Sequence, residues 1–205
     1  MDTIGVIKRW IGKRSDVLDL GCGNGEILNI LSKELDATVL GIEIDQSNIN
    51  ECIKSGINVI QQNIDEGLSN FSDKSYDVVI MSQTIQVLKE PKKALLEVTR
   101  IGNESIVTIP NFGHWLTRAN LMFSGKMPVT GALPKEWHET DNIHLCTIKD
   151  FELLCEECNI NIIEKEFFDL EGQKSSLANI APNLFSALAM YKISKLKSRF
   201  RQKIK

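Results

Sequence analysis

The sequence has no run approaching the roughly 18 uninterrupted apolar residues of a membrane-spanning helix. Its opening, Met1-Asp2-Thr3-Ile4-Gly5 with Lys8 and Arg9 close behind, lacks the apolar stretch of an export signal. The reading is therefore a cytoplasmic protein, neither exported nor embedded in a membrane. The five cysteines, at 22, 52, 146, 155 and 158, are expected to be free thiols in a reducing compartment. No large excess of one charge exists either: 24 Lys and Arg stand against 27 Asp and Glu. Dedicated nucleic-acid binders are usually strongly basic, so no nucleic-acid partner is expected. Repeats and low-complexity segments are missing. A chain with 42% hydrophobic and 25% charged residues fits none of the disordered, collagen or coiled-coil classes.

What charge there is lies unevenly. Seven of the 24 Lys and Arg fall between Lys192 and Lys205, with no acid among them, so the preceding residues carry 17 basic against all 27 acidic groups. Residues 196–205 read as a basic C-terminal tail, and 1–195 as a single domain.

Strand and helix signals alternate along that domain. A short helix fits 2–11, where Ile4, Ile7 and Ile11 recur at helical spacing. Val17-Leu18-Asp19-Leu20 is a strand that runs into Gly21-Cys22-Gly23-Asn24-Gly25, and a helix carries Ile27, Leu28, Leu31 and Leu35 onward. Further strands are expected at 38–43, 57–61, 76–82, 105–109 and 160–169, with helices at 46–54, 91–100 and 148–158. Segment 184–194 is ambiguous: its apolar residues could make a helix, but in this architecture a last strand lying antiparallel beside the sixth fits better. Runs such as Val78-Val79-Ile80-Met81 are apolar throughout, as strands covered on both faces must be. The fold class is α/β: a doubly wound, mostly parallel seven-stranded sheet with an antiparallel last strand. Residues 111–146 break the rhythm. They are read as an irregular stretch facing a substrate or partner, and they hold all three histidines.

The glycine turn carries the first chemical signal. G-x-G-x-G between a strand and a helix lets the backbone turn tightly and lets a ligand approach main-chain atoms. The dinucleotide fingerprint G-x-G-x-x-G is not met, because position 26 is Glu. Asp19, two residues before the first glycine, would repel a pyrophosphate and suits an ammonium group instead. Both departures point away from a dinucleotide, towards an adenosyl ligand that carries an amino acid. Glu43, 24 residues after Asp19, ends the second strand, where a carboxylate can accept both hydrogens of a ribose diol. Ile44 can cover an adenine face. Asn63-Ile64-Asp65 can offer an oxygen to the adenine amino group.

These motifs resemble the class I S-adenosylmethionine-dependent methyltransferases. Val17–Gly25 is similar to their first motif, Gly41-Ile42-Glu43 to the second, and Gln62-Asn63-Ile64-Asp65 to the third, although many members carry Asp where Asn63 stands. The resemblance implies that Gly21, Gly23 and Ser82 approach the methionine end of the cofactor and that Glu43 holds the ribose. The expected cofactor-binding set is Asp19, Gly21, Cys22, Gly23, Gly25, Glu43, Ile44, Asn63, Ile64, Ser82 and Gln83. More specific strings, Met81–Gln86, Pro110–Trp115, Gly125–Thr130 and Asn142–Thr147, resemble the MetW proteins of bacterial methionine biosynthesis; the usual Pro before Asn142 is Asp141 here. That resemblance implies work alongside homoserine O-acyltransferase, and binding of S-adenosyl-L-methionine (SAM) or S-adenosyl-L-homocysteine.

Methyl transfer needs mainly alignment of donor and acceptor; a base matters only if the acceptor keeps a proton. His114, beside Trp115 after the fifth strand, is the candidate catalytic residue. His138 divides between exposed loop and site wall, and His144 between Ile143 and Leu145 reads as structural. Gln83 and Gln86 follow the fourth strand and are placed to line a pocket. His144, Cys146, Cys155 and Cys158 have zinc-like spacing. Cys155 and Cys158 fall in a helical pattern, however, where cysteine is an ordinary apolar filler, so no metal is expected. The leading function is a SAM-binding partner or regulator of homoserine O-acyltransferase. The rivals are an active methyltransferase on an unidentified small molecule, and a structural partner with a vestigial pocket.

Overall fold

The computed structural model describes residues 3–130, 133–174 and 176–196. The basic tail expected over 196–205 lies outside these residues apart from Leu196. The elements are α1 Thr3–Trp10, β1 Asp16–Leu20, α2 Glu26–Leu35, β2 Thr38–Glu43, α3 Gln46–Lys54, β3 Val59–Gln61, β4 Tyr76–Ser82, α4 Pro91–Ile101, β5 Gly102–Pro110, α5 Trp115–Ser124, α6 Ile148–Glu157, β6 Ile160–Phe168, α7 Ser176–Ile180, α8 Pro182–Phe185 and β7 Leu188–Lys195.

The seven strands form one sheet in the order β3-β2-β1-β4-β5-β7-β6. Strands β1 to β5 pair in parallel. The last strand enters between β5 and β6 and runs antiparallel to both. The expected sheet and its antiparallel last strand are thus present. The segment 184–194 is strand only from Leu188, because Pro182 at a helical first turn starts α8, which runs through Phe185.

Helices cover both faces. On one, Leu95 and Val98 of α4 and Phe151 and Cys155 of α6 meet Leu18, Val79, Val107 and Tyr191 of the sheet. On the other, Val6, Ile7 and Trp10 of α1 and Leu28 and Leu31 of α2 meet Val17, Val78, Ile80 and Ile106. Alternate strand residues feed opposite cores, which is why the central strands read as unbroken apolar runs. At about 25 cal/mol per Å² of apolar surface, this two-sided burial is the main force holding the sheet between its helices.

The stretch 111–146 corrects the expectation in part. It is not irregular throughout, because α5 occupies Trp115–Ser124. Its apolar residues do not make a clean stripe, since Met122 and Phe123 face outward and only Thr117 of the helix is buried. A sequence pattern built on burial therefore misses it.

Strand order reverses between β1, which leads to β2 and β3 on one side, and β4, which leads to β5 on the other. A crevice opens at the carboxyl ends of strands flanking such a switch point. The glycine turn leaves β1 there, and Ser82 and Gln83 leave β4 there.

Candidate ligand-binding site at the glycine turn

Gly21, Gly23 and Gly25 have φ of 78°, 56° and 77°, the left-handed region that L side chains avoid. The turn is tied to the neighbouring strand by Gly21 N–H and Cys22 N–H, which both donate to the Ile42 carbonyl at 2.8 and 3.0 Å. Two of the glycines are also demanded by packing. A Cβ on Gly21 would lie 2.6 Å from Thr84 Oγ1, and one on Gly25, the cap of α2, would lie 2.9 Å from Cys52 Sγ. A Cβ on Gly23 would meet nothing within 4 Å. The middle glycine is therefore the open face of the turn, where an incoming group can reach main-chain atoms.

Two carboxylates underlie this face. Glu43 accepts from Gly23 N–H at 2.8 Å through Oε2, and from Ile44 N–H and Asp45 N–H at 2.8 and 2.9 Å through Oε1. It holds the glycine turn to the end of β2. A carboxylate has about four lone-pair positions, so three donors leave one for a ligand. Asp19 is different. It is 1% exposed, and its Oδ1 has no hydrogen-bond partner among the described residues. Burial, and then repulsion from Glu43, push its pKa up from 3.8 to about 7. A buried carboxylate without a donor is an energetic liability unless something supplies a positive charge or N–H groups.

The remaining expected residues divide. Ile44 is 60% exposed beside Glu43, as a side chain covering a flat ring would be. Asn63 and Ile64 are half-buried after β3. The Asn63 amide is already engaged: its Oδ1 accepts from Asp65 N–H at 3.1 Å and its Nδ2 donates to Glu66 at 3.2 Å. Ser82 shares a hydrogen bond of 3.1 Å with Thr108, and Gln83 sits exposed at φ 52°, its N–H donating to Thr108 Oγ1 at 2.8 Å. Cys22 is buried, 3.9 Å from Cys52 Sγ, and burial raises both thiol pKa values. A thiol held protonated packs rather than attacks.

Thr84 and Thr108, which brace Gly21 and the end of β4, carry no sequence signal. Gly41 carries one: it lies mid-strand, where a Cβ would come within 2.4 Å of Cys22 Sγ, and a glycine inside a strand marks such close approach.

His114 is 4% exposed and caps α5, its Nδ1 accepting from Leu116 N–H at 3.3 Å. Burial lowers its pKa. An acceptor role for Nδ1 puts the ring proton on Nε2, which is then a donor with no lone pair to take a proton. His138 and His144 are exposed, and the His144 backbone N–H donates to the Gln86 carbonyl at 3.0 Å. Gln86 is buried and lines a cavity of about 250 Å³ together with Ile85, His144, Cys146 and Phe151. Among the described residues, no group of three or more His, Cys, Asp or Glu could hold a metal. Cys155 packs in the core and Cys158 caps the end of α6.

Compared with known families, residues 2–193 match the one described as methionine biosynthesis protein MetW. The chain belongs to the MetW family. A curated relative, the bifunctional methionine biosynthesis protein MetXA/MetW of Rhodopirellula baltica, is 33% identical over 180 residues, which is 83% of this chain. This MetW-family chain spans only 29% of that relative's length. The ribosomal protein L11 methyltransferase of Thermosipho melanesiensis is 34% identical over a shorter 89 residues, covering 40% of this chain and 33% of its own.

Solved structures share the fold at low identity. A SAM-dependent methyltransferase from Mesorhizobium loti superposes with a TM-score of 0.67 at 14% identity, over 92% of this chain and 95% of its own. One from Archaeoglobus fulgidus gives 0.65 at 21%, over 94% and 92%. The [4+2]-cyclase SpnF gives 0.65 at 12%, over 94% and 80%. The architecture is that of the class I SAM-dependent methyltransferases. Because a cyclase shares it, the architecture alone does not specify methyl transfer.

Proposed function

We propose that this MetW-family protein binds SAM, or its demethylated product S-adenosyl-L-homocysteine, at the glycine turn, and acts with or regulates homoserine O-acyltransferase in methionine biosynthesis. The observation that carries the first half is Asp19. It is buried beneath an open turn, unpaired, and needs a cationic or donor-rich partner. The amino-acid end of an adenosyl amino acid brings an ammonium group. In this reading Asp19 takes the ammonium, Gly21 and Gly23 let the methionine portion lie against the turn, and Ser82 and Gln83 close its far side. Glu43 accepts one ribose hydroxyl through its remaining lone pair while holding the turn, so it grips one hydroxyl directly rather than both. Ile44 covers the adenine, and Asn63 and Ile64 meet its edge. Cys22 contributes its backbone and packing. The ligand itself would supply an activated methyl group if it is SAM.

The second half is supported by the Rhodopirellula relative, which joins MetXA and MetW in one chain. The rival reading, methyl transfer to a small molecule, asks for an acceptor pocket and, for a protonated acceptor, a base. His114 is poorly suited to that work because its ring already caps α5 as an acceptor. Methyl transfer to an acceptor that needs no base stays open to a direct assay. Incubation with labelled SAM and cell extract is expected to leave the label on SAM. The acyltransferase rate is expected to change when this protein is added, and to change again with SAM present. Reproducible label transfer abolished by Asp19→Ala would replace the regulatory reading with the enzymatic one.

A further inference from the structure

A second concavity lies between the turn that follows β4 and the first turns of α6, and encloses about 250 Å³. Its floor is buried: Ile85 and Gln86 are each 4% exposed and Phe151 3%. Leu154 of α6 adds an apolar wall, and Cys146 a thiol that burial pushes up to about 11, so it stays uncharged. His144 and Asp150 stand exposed at the rim. The Asp150 Oδ2 is already taken by the capping box of α6, accepting from Thr147 N–H and Thr147 Oγ1 at 2.9 and 2.8 Å. Gln86 is the polar exception in the floor. Its Nε2 donates to the Gln83 carbonyl at 2.6 Å, and its Oε1 has no partner among the described residues. Turning the amide round would set Oε1 against that carbonyl oxygen, so the bare atom is the acceptor. A buried acceptor without a donor is destabilising. One water set against Oε1 would find Ile85 and Phe151 as its neighbours, whereas a buried water typically makes about three hydrogen bonds.

We propose that this cavity is a second ligand site, which takes a compact, mainly apolar molecule whose single hydroxyl or amide N–H donates to Gln86 Oε1. The volume sets the size. A cavity of about 150 Å³ engineered into another protein holds benzene, so about 250 Å³ suits a molecule of roughly ten non-hydrogen atoms. The walls of Ile85, Phe151 and Leu154 select an apolar body. The bare acceptor selects a donor, and an uncharged one, because a neutral amide oxygen alone does not offset the burial of an ammonium group. Asp19, Gly21, Gly23, Glu43, Ser82 and Gln83 do not line this cavity, so its ligand is additional to SAM and does not depend on SAM binding. The polar end is also held in place before a ligand arrives. Gln86 is tied to Gln83 through Nε2, and its backbone carbonyl accepts from Ile143 N–H and His144 N–H, both at 3.0 Å. An acceptor fixed in this way loses little freedom on binding.

The test uses benzyl alcohol, which carries a ring and one hydroxyl, and toluene, which keeps the ring and lacks the donor. Each is titrated into the full chain, with the backbone amides of Ile143, His144 and Phe151 as NMR reporters. Saturable shifts are expected there, half-complete near about 1 mM benzyl alcohol, the scale for a ligand of about eight non-hydrogen atoms. Saturating SAM should leave the probe in place; displacement by SAM would put it at the glycine turn and overturn the proposal. A chain that takes up benzyl alcohol at these residues but no SAM would support this site and count only against the SAM reading. Gln86→Met keeps the side-chain length and removes Oε1. It should shift the ratio of the two affinities against benzyl alcohol by at least about fivefold, the ratio cancelling the hydration of the probes themselves. An unchanged ratio would remove Gln86 Oε1 as the acceptor. Leu154→Trp, which fills the cavity from α6, should abolish binding of both probes while SAM affinity and melting temperature stay near the wild-type values. The absence of saturable shifts with either probe up to about 5 mM, or shifts that survive Leu154→Trp, would refute the site.

Discussion

Asp19→Asn should stabilise the protein at alkaline pH and not at acid pH. The carboxyl group is 1% exposed, lacks a partner for Oδ1, and has its pKa raised from 3.8 to about 7 by burial and then by Glu43. Because the folded-state value lies above the unfolded one, the unfolded chain holds fewer protons between the two. Stability is therefore undiminished below about pH 4, falls as pH rises towards 7, and stays low above it. At 1.36 kcal/mol per pKa unit, the ionised carboxylate costs about 4 kcal/mol above pH 7 and less than half of that at pH 5. The asparagine amide has no charge to bury but leaves N–H groups unpaired, at about 1–3 kcal/mol regardless of pH. The variant should accordingly be about 1–3 kcal/mol more stable than wild type at pH 8 and within about 1 kcal/mol of it at pH 5. The swing between the two, about 3 kcal/mol, is independent of the amide cost and corresponds to roughly 6–12 °C in melting temperature for a chain of this size. Urea unfolding of both proteins at pH 5, 6, 7 and 8 measures it. A stability difference that stays constant across that range would show that Asp19 is not held as a buried, uncompensated carboxylate.

Three further outcomes follow from the same site. SAM binding should tighten as pH rises from 6 to 8 and release up to about one proton near neutrality, because the ammonium favours the ionised Asp19; calorimetry in buffers of different ionisation enthalpy reads this directly, and a pH-independent affinity would count against an Asp19–ammonium contact. Glu43→Ala should weaken SAM binding by about 1–3 kcal/mol and also destabilise the fold, since three backbone N–H groups lose their acceptor; unchanged affinity would remove Glu43 from the ribose role. Gly41→Ala should destabilise by about 1–3 kcal/mol, because its Cβ would lie 2.4 Å from Cys22 Sγ, and Cys22→Ala in the same chain should restore part of the loss; identical melting curves for the single variant would refute the packing argument.

Much of the architecture was legible because it is written in local patterns. The unbroken apolar strands, the glycine turn before α2 and Pro91 at the start of α4 each carry their own signal, and the structure has them where they were expected. Two failures have physical causes. Helix α5 was hidden because Met122 and Phe123 point outward, so its apolar residues follow no burial period. Strand β7 starts at Leu188 rather than 184 because the apolar residues after Pro182 suit strand or helix alike, and tertiary context selects a short helix there. At the site, residue identity indicated where carboxylates would stand but not how they would be used. That Glu43 is already three-quarters engaged by backbone donors, while Asp19 Oδ1 has none among the described residues, depends on where the backbone amides point, which no spacing rule encodes. The engagement of the His114 ring likewise depends on the start of α5, which directs Leu116 N–H at its Nδ1.

An unpaired, buried Asp19 is kept at a cost in stability because it receives the amino group of an adenosyl amino acid. Calorimetric titration of SAM into the wild type and Asp19→Asn at pH 8 tests it most directly. Binding to the wild type is expected to be saturable, with an affinity at least about 30-fold weaker in the variant, the equivalent of about 2 kcal/mol for a charge-assisted hydrogen bond. A wild-type protein that takes up no SAM, or a variant that binds it as tightly as the wild type, would contradict it.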